Sequence, residues 1–156
     1  PYEFRSFSLS CFMRVDRDPA VEARDACIIF GRRDDTHFYY AHLAGTSDGV
    51  HNTIMRVDGD TRRRLMPDGF RPEPIFTDRT WHKVDVLRNC DTGLTQIFVD
   101  AYDPAAATPY FEFTDKMYEW GHLAIGSFDD HASFANVLIE GQARQPASPP
   151  TADGGE

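Results

Sequence analysis

The segment from Trp81 to Asp100 constrains the fold of this chain more than any other, because it joins two alternating patterns by a polar turn. Val84 and Val86 point one way on the first arm, and Ile97 and Val99 do the same on the second. The turn residues between the arms are Asn89, Asp91 and Gly93. The segment therefore predicts an antiparallel β-hairpin.

The same alternation recurs along most of the chain. Besides the hairpin, it predicts strands at 7–15, 26–30, 37–44, 53–57, 62–66, 110–113, 122–128 and 134–139. About ten short strands without a convincing amphipathic helix indicate an all-β protein with two antiparallel sheets packed face to face, a closed barrel being the alternative. We expect one sandwich domain over residues 1–141 and a disordered tail over 142–156, which is composed mainly of Pro, Ala, Ser and Gly.

Length and charge limit the class of function. A chain of 156 residues provides material for one domain, and its formal net charge of -9 argues against nucleic acid as a partner. No apolar run approaches the roughly 20 residues that cross a bilayer, so we expect no membrane insertion. The run Arg62–Arg64 is a local basic exception. It is either a solvated turn or strand edge, or a site of contact with an anionic sugar.

The three cysteines, Cys11, Cys27 and Cys90, neither pair completely nor show the spacing of a metal site. Cys11 and Cys27 lie on neighbouring predicted strands, where a disulfide between them is one alternative. Small buried thiols are the interpretation that we favour.

The order of several motifs resembles a known superfamily. These motifs are FRSFSLSCFMRV, ACIIFGRRDDTHFYYAHLA, TWHKVDVLRNCDTGLTQIFVDAY, WGHLAIGSFDD and FANVLIEG. In this order they resemble the concanavalin A-like lectins and glucanases, within the branch of laminin-G-like domains, fructan-binding modules and 3-keto-disaccharide hydrolase-type domains. The resemblance extends through Gly141 and implies a jelly-roll sandwich. Relatives usually carry a further N-terminal strand, so we expect Pro1 to be a truncated or processed start.

The resemblance also implies the partner and the location of the protein. It implies an oligosaccharide or polysaccharide ligand, a secreted, periplasmic or cell-surface location, and attachment to a larger carbohydrate-active protein. Sugar binding requires aromatic faces for stacking and planar polar groups for hydroxyls. If Tyr39, Ala41 and Leu43 face the core, Phe38, Tyr40 and His42 share the other face, although the opposite assignment stays open. Alternation puts a set of polar residues on an outer face: Arg14, His42, Asn52, Arg56, Gln96 and Asp100. The ligand-binding candidates are these six together with Phe38, Tyr40 and His51.

A noncatalytic carbohydrate-binding module is the function that we expect. The paired-acid strand of the glucanases is absent, since Asp85, Asp100 and Glu112 lie on separate strands. The alternative is a small glycoside hydrolase or polysaccharide lyase in which His42, Tyr40 and Asp100 are catalytic. A deep cleft with His42 near Arg56 or Asp100 would favour chemistry, and a flat aromatic platform would favour binding. A laminin-G-like adhesion domain is a third possibility.

We expect no required cofactor, with a structural calcium ion as an addition that the resemblance implies. Asp129 and Asp130 offer hard oxygen ligands near the last strand, and an ordinary turn is the alternative. His122 and His131 flank this region, where surface loops are a better explanation than a transition-metal site.

Overall fold

The computed structural model describes residues 2–21 and 24–146, which form ten β-strands. The strands are β1 (Glu3–Val15), β2 (Asp25–Asp34), β3 (His37–Ala44), β4 (Thr53–Asp58), β5 (Thr61–Arg64), β6 (His82–Asn89), β7 (Leu94–Val99), β8 (Phe111–Thr114), β9 (His122–Gly126) and β10 (Ala132–Arg144). The first sheet has the order β10-β1-β6-β7-β8, and the second has the order β5-β4-β3-β2-β9. All pairs are antiparallel, which confirms the predicted two-sheet sandwich.

The core forms where alternate side chains of the two sheets face each other. On β1 every second residue from Phe7 to Val15 is buried, and on β3 the same holds for Tyr39, Ala41 and Leu43. Val84, Val86 and Ile97 belong to the same cluster, as the hairpin pattern predicts. The opposite faces of both sheets are therefore left for other contacts.

The predicted turns form with the expected chemistry. At the β6–β7 turn, the Asn89 carboxamide oxygen accepts hydrogen bonds from the Asp91 and Thr92 amides at 2.9 and 3.1 Å, and Gly93 has a φ of 80°. At the β4–β5 turn, Gly59 has a φ of 63°. A glycine is favoured at both positions because it adopts positive φ without steric cost.

A two-residue bulge in β2 sets the register of the second sheet. Asp34 pairs with His37 beside the turn, but Phe30 pairs with Tyr39, so β2 has three residues between these pairs where β3 has one. The bulge includes Gly31 at a φ of 59°. Beyond it, Cys27 lies directly opposite His42.

The buried guanidinium of Arg24 holds the long loop between β5 and β6 against the sandwich. It donates to the carbonyl oxygens of Phe76, Val15 and Asp78 at 2.5, 2.7 and 2.5 Å. Only 1% of Arg24 is exposed, and burial lowers its pKa below the usual value. The loop is thus fixed by three charge-assisted hydrogen bonds from one side chain.

The C-terminal strand is longer than predicted. β10 continues through Arg144, three residues past the predicted boundary at Gly141, and Arg144 pairs with Glu3. The rest of the predicted tail from residue 147 lies outside the described residues.

The three cysteines, Cys11, Cys27 and Cys90, are free and buried, as we predicted from the sequence. Within the described residues there is no helix long and apolar enough to span a membrane.

Candidate functional site

The outer face of the second sheet carries a cluster of apolar and aromatic side chains that is separate from the core. We call it the aromatic face. It consists of Cys27, Ile29, Phe38, Tyr40, Met55, Val57, Arg62 and Phe128. β3 supplies Phe38 and Tyr40, which confirms that these two side chains point away from Tyr39, Ala41 and Leu43.

A depression of about 130 Å³ lies on the aromatic face. The Phe128 ring is half exposed and meets the Tyr40 ring edge to face, with 5.5 Å between the centroids. The Arg62 guanidinium lies 5.7 Å from the centroids of both rings. An exposed ring and a cation are therefore presented together at one opening, and the buried Tyr40 ring forms part of its wall.

Tyr40 brings a buried polar group into this depression. Its hydroxyl has no hydrogen-bond partner among the described residues. Burial raises the pKa of Tyr40 to about 12, against the opposing effect of the Arg62 charge. The hydroxyl is therefore protonated at neutral pH and is a buried donor in the wall of the depression.

His42 extends the aromatic face toward the loop between β3 and β4. Its ring packs on Phe128 and His51, with centroids 5.1 and 4.9 Å away. Nδ1 lies 2.9 Å from the Val50 carbonyl oxygen. Since a carbonyl only accepts, Nδ1 must carry the proton, and Nε2 is left without a hydrogen-bond partner among the described residues.

Asp25 and Cys27 project from β2 beside His42. Asp25 Oδ2 lies 3.4 Å from His42 Nε2, while Oδ1 accepts from the Ser127 hydroxyl and the Phe128 amide, each at 3.0 Å. Burial opposes the ionisation of Asp25, but the nearby His42 ring and the two donors hold its pKa below the usual value. Burial and the charge of Asp25 raise the pKa of the Cys27 thiol well above its usual value.

The loop from Gly45 to Asn52 is fixed by side chains that the sequence analysis had placed in the ligand site. Asn52 is completely buried and binds Ala44, Thr46 and Ser47. It therefore holds the loop and has no group to offer a ligand, which corrects its predicted placement. His51 is half-buried, and its ring binds Asp48 at 2.8 Å while it packs on His42.

Arg56 lies on the opposite side of the second sheet from His42, and its predicted outward placement is wrong. It pairs with Tyr39 across the strands and so shares the inward direction of that side chain. Its guanidinium forms an ion pair with Asp115, which also accepts a hydrogen bond from the Tyr39 hydroxyl. Arg56 links the sheets at their edge.

Three further candidates lie on the first sheet, away from the aromatic face. Arg14 stacks over Trp81 at 4.7 Å and pairs with Asp16. Gln96 donates to Glu112 at 2.7 Å. Asp100 follows β7 and binds the His82 ring and the Lys83 amide at 2.7 and 2.9 Å. The structure thus does not join the nine predicted ligand-binding residues into one site.

The outer face of the first sheet has its own wider depression of about 380 Å³. Gln96, Leu87 and Glu140 are among its lining residues. Its one aromatic lining residue, Phe7, is 6% exposed and belongs to the core. This depression therefore offers no aromatic ring for stacking.

The predicted calcium ligands, Asp129 and Asp130, do not belong to a group of three or more possible ligand side chains among the described residues. The Asp130 carboxylate accepts from Arg17 and from the Asp25 amide, both at 2.7 Å. Asp129 is exposed. Among the described residues, the cluster of possible metal ligands is instead Asp25, Cys27 and His42, whose ligand atoms all lie within 4.8 Å of one another. Calcium at Asp129 and Asp130 stays a prediction.

Sequence reasoning missed three residues of the site: Asp25, Arg62 and Phe128. The spacing of Asp25 and Cys27 places both on one face of a strand, and this signal was available. Arg62 was considered only as part of a basic run. Phe128 follows β9 and reaches the aromatic face through the pairing of β9 with β2, which no local pattern indicates.

The comparison with solved structures identifies proteins of the same fold. Carbohydrate-binding module CBM66 from Bacillus subtilis superposes with a TM-score of 0.66 at 14% identity, over 88% of this chain and 76% of that one. A single mutant of congerin II gives a TM-score of 0.56 at 14% identity, over 88% of this chain and 98% of that one. A Parabacteroides distasonis protein, provisionally assigned as a glycosyl hydrolase, gives 0.54 at 11% identity, over 90% and 73% of the two chains.

These similarities show the fold. The protein has the jelly-roll sandwich of the concanavalin A-like type, as the sequence resemblance implied. No family model matches the sequence. No curated protein matches it either.

Proposed function

We propose that this protein is a noncatalytic carbohydrate-binding module that holds a sugar on the aromatic face. The observation that carries the proposal is the depression that the half-exposed Phe128 ring, the Arg62 guanidinium and Tyr40 line together, with the Tyr40 hydroxyl as a buried group that has no partner among the described residues. Ring faces suit the C–H surface of a pyranose or furanose, and the polar groups suit its hydroxyls.

The fold supports the same proposal. One of the proteins that share it is, by its name, a carbohydrate-binding module. The wider depression on the first sheet has no exposed aromatic ring among its lining residues. From the resemblance alone, we also propose a secreted location and attachment to a larger carbohydrate-active protein.

The geometry favours binding over chemistry. Arg56 and Asp100 are the residues whose approach to His42 would have indicated catalysis, and each is engaged elsewhere, with Asp115 and His82 respectively. The depression on the aromatic face is small, about 130 Å³, and lined by aromatic rings. Among the described residues, one carboxylate, Asp25, forms an ion-pair contact with His42, at 3.4 Å, whereas glycoside hydrolysis normally uses two carboxylates.

Matched pairs of variants test the proposal. Phe128→Ala removes a ring from the aromatic face, and Trp81→Ala removes an exposed ring from the first sheet. Arg62→Gln removes the cation from the aromatic face, while Arg63→Gln changes the next residue on β5, which pairs with the inward-facing Arg56. Each protein is run through affinity gels that contain neutral or anionic polysaccharides.

We expect Phe128→Ala to weaken retention by on the order of tenfold, since stacking of one aromatic ring is worth about 1 kcal/mol or more. Arg62→Gln should weaken it as well, most strongly with anionic glycans, and Trp81→Ala and Arg63→Gln should bind as the unaltered protein does. Equal retention of all four variants would refute the assignment of the aromatic face. Release of reducing ends or unsaturated products from the same glycans would instead favour an enzyme.

A further inference from the structure

We propose that Asp25, Cys27 and His42 form a buried binding site for a thiolate-preferring divalent cation, with Zn²⁺ as the best match. The three ligand atoms lie within 4.8 Å of one another. All three residues are at most 4% exposed. This site would exist whether or not the aromatic face binds sugar.

The strand pairing explains why the three side chains converge. Cys27 and His42 are direct partners across β2 and β3, and Asp25 is two residues before Cys27 on the same face of β2. Alternation therefore directs all three side chains to the outer side of the second sheet. A cation above this triangle would be held from one side by a carboxylate, a thiolate and an imidazole.

The unpartnered nitrogen of His42 is the second observation that points to a cation. Nδ1 of His42 is committed to the Val50 carbonyl, so Nε2 is the nitrogen that faces Asp25. Nε2 lies 3.4 Å from Asp25 Oδ2 and is a buried atom without a hydrogen-bond partner among the described residues. A positive charge at this point would satisfy both groups, and the sulfur of Cys27 at the third corner is a ligand for a metal ion.

The donor set selects the kind of cation. Ca²⁺ and Mg²⁺ prefer oxygen ligands throughout, whereas Zn²⁺ takes thiolate, imidazole and carboxylate together in tetrahedral sites. The orientation of His42 is fixed by its bond to Val50, and Asp25 is fixed by Ser127 and the Phe128 amide. Metal ligands are commonly oriented in this way by a surrounding set of hydrogen bonds.

Binding would change the protonation of Cys27. The S–H bond breaks, the proton leaves to solvent, and the sulfur lone pair forms the bond to the metal without any change of oxidation state. Three protein ligands would leave one position of a tetrahedral site for water or a further ligand.

Titration of the untagged, reduced, chelator-treated protein with ZnCl₂ and CoCl₂ tests the site without any sugar. Calorimetry measures stoichiometry and affinity, and the absorption spectrum of the Co²⁺ protein reports thiolate ligation. The variants are Cys27→Ser, Asp25→Asn and His42→Gln. The matched control is His37→Gln, which alters an exposed histidine that contacts Asp34 and Asp58 without a thiol nearby.

We expect one metal ion per chain, a thiolate-to-cobalt charge-transfer band, and a rise of the melting temperature with metal concentration. Each of the three variants should bind on the order of tenfold or more weakly, since even groups that only orient metal ligands are worth this much. His37→Gln should bind as the unaltered protein does. If a variant fails to fold, the charge-transfer band of the unaltered Co²⁺ protein still shows whether a thiolate binds the metal ion. Absence of that band, or equal affinity in all variants, would overturn the proposal.

Discussion

Asn52 binds both backbone groups of Ala44: its Oδ1 accepts from the Ala44 amide at 2.8 Å, and its Nδ2 donates to the Ala44 carbonyl at 2.9 Å. The side chain thus replaces a neighbouring strand at the point where β3 ends. By closing this loop, it places the Val50 carbonyl on His42. The arrangement of the candidate site therefore depends on a residue that cannot touch a ligand.

We expect Asn52→Ala to lower the free energy of unfolding by about 3 kcal/mol, because it leaves the buried Ala44 amide unpaired, leaves the Ala44 carbonyl with the Ile75 amide alone, and forces alanine into positive φ. The φ of Asn52 is 49°. Urea denaturation monitored by circular dichroism measures the change.

The control for Asn52→Ala is Asn136→Ala. Asn136 is exposed and has a φ of 51°, so it isolates the backbone cost, about 1 kcal/mol. Similar losses in the two variants would contradict the role given to the Asn52 carboxamide.

Replacement of Arg24 by lysine should destabilise the protein by about 3 kcal/mol, although the charge is kept. The planar guanidinium reaches the carbonyls of Val15, Phe76 and Asp78 at once, and an ammonium group cannot match this geometry. The measurement is again the urea midpoint. The control is Arg79→Lys, at an exposed position on the loop between β5 and β6, and it should change the free energy of unfolding by less than about 0.5 kcal/mol. A loss in Arg79→Lys as large as that in Arg24→Lys would contradict the role given to the Arg24 guanidinium.

Stability should fall at acid pH through Asp34 at the β2–β3 turn. The Thr36 amide, followed by the His37 ring and the Thr36 hydroxyl, lowers the pKa of Asp34 to about 2. Because the folded pKa lies below the unfolded value of about 3.9, the contribution of Asp34 is complete above that value. It is lost as the pH falls through about 2.

Urea denaturation of the unaltered protein and of Asp34→Asn between pH 5 and pH 2 tests this. The stability difference between the two proteins should be largest at pH 5 and shrink toward pH 2. Asp35→Asn, which removes the adjacent carboxylate and its ion pair with Arg32, is the control for the loss of a negative charge at this turn. A difference that stays constant over this range would show that the Asp34 charge is not involved.

The two-residue period of the sequence predicts the fold and the division of β3 into two faces. Tyr39, Ala41 and Leu43 lie in the core, and Phe38 and Tyr40 lie outside it. The reason is that successive side chains of a strand point to opposite faces, of which one packs against the other sheet. Arg56 shows the limit of this reasoning. Arg56 was expected to lie on an outer face, but its side chain points inward. There it forms an ion pair with Asp115, which neutralises its charge.

Neighbours across strands could not be predicted, because they depend on register. Counting back from the Asp34–His37 pair would place Cys27 opposite Ala44, and the bulge moves it to His42. This is a displacement of two residues, or about 7 Å along the strand. Alternation also predicts the face of a strand without predicting the sheet to which the strand belongs. For this reason the sequence did not show that three candidates lie on the first sheet: Arg14, Gln96 and Asp100.

The bulge in β2 also absorbs a difference in chain length beside the β2–β3 turn. Deleting its two extra residues would leave the inward and outward directions of β2 unchanged, because the period of a strand is two. Phe30 would stay opposite Tyr39 and Cys27 opposite His42, because the deletion removes only residues that have no partner on β3. Descendants of this chain could thus lose two residues here in a single genetic event while inheriting both an intact interior and the same chemical centre on the outer face.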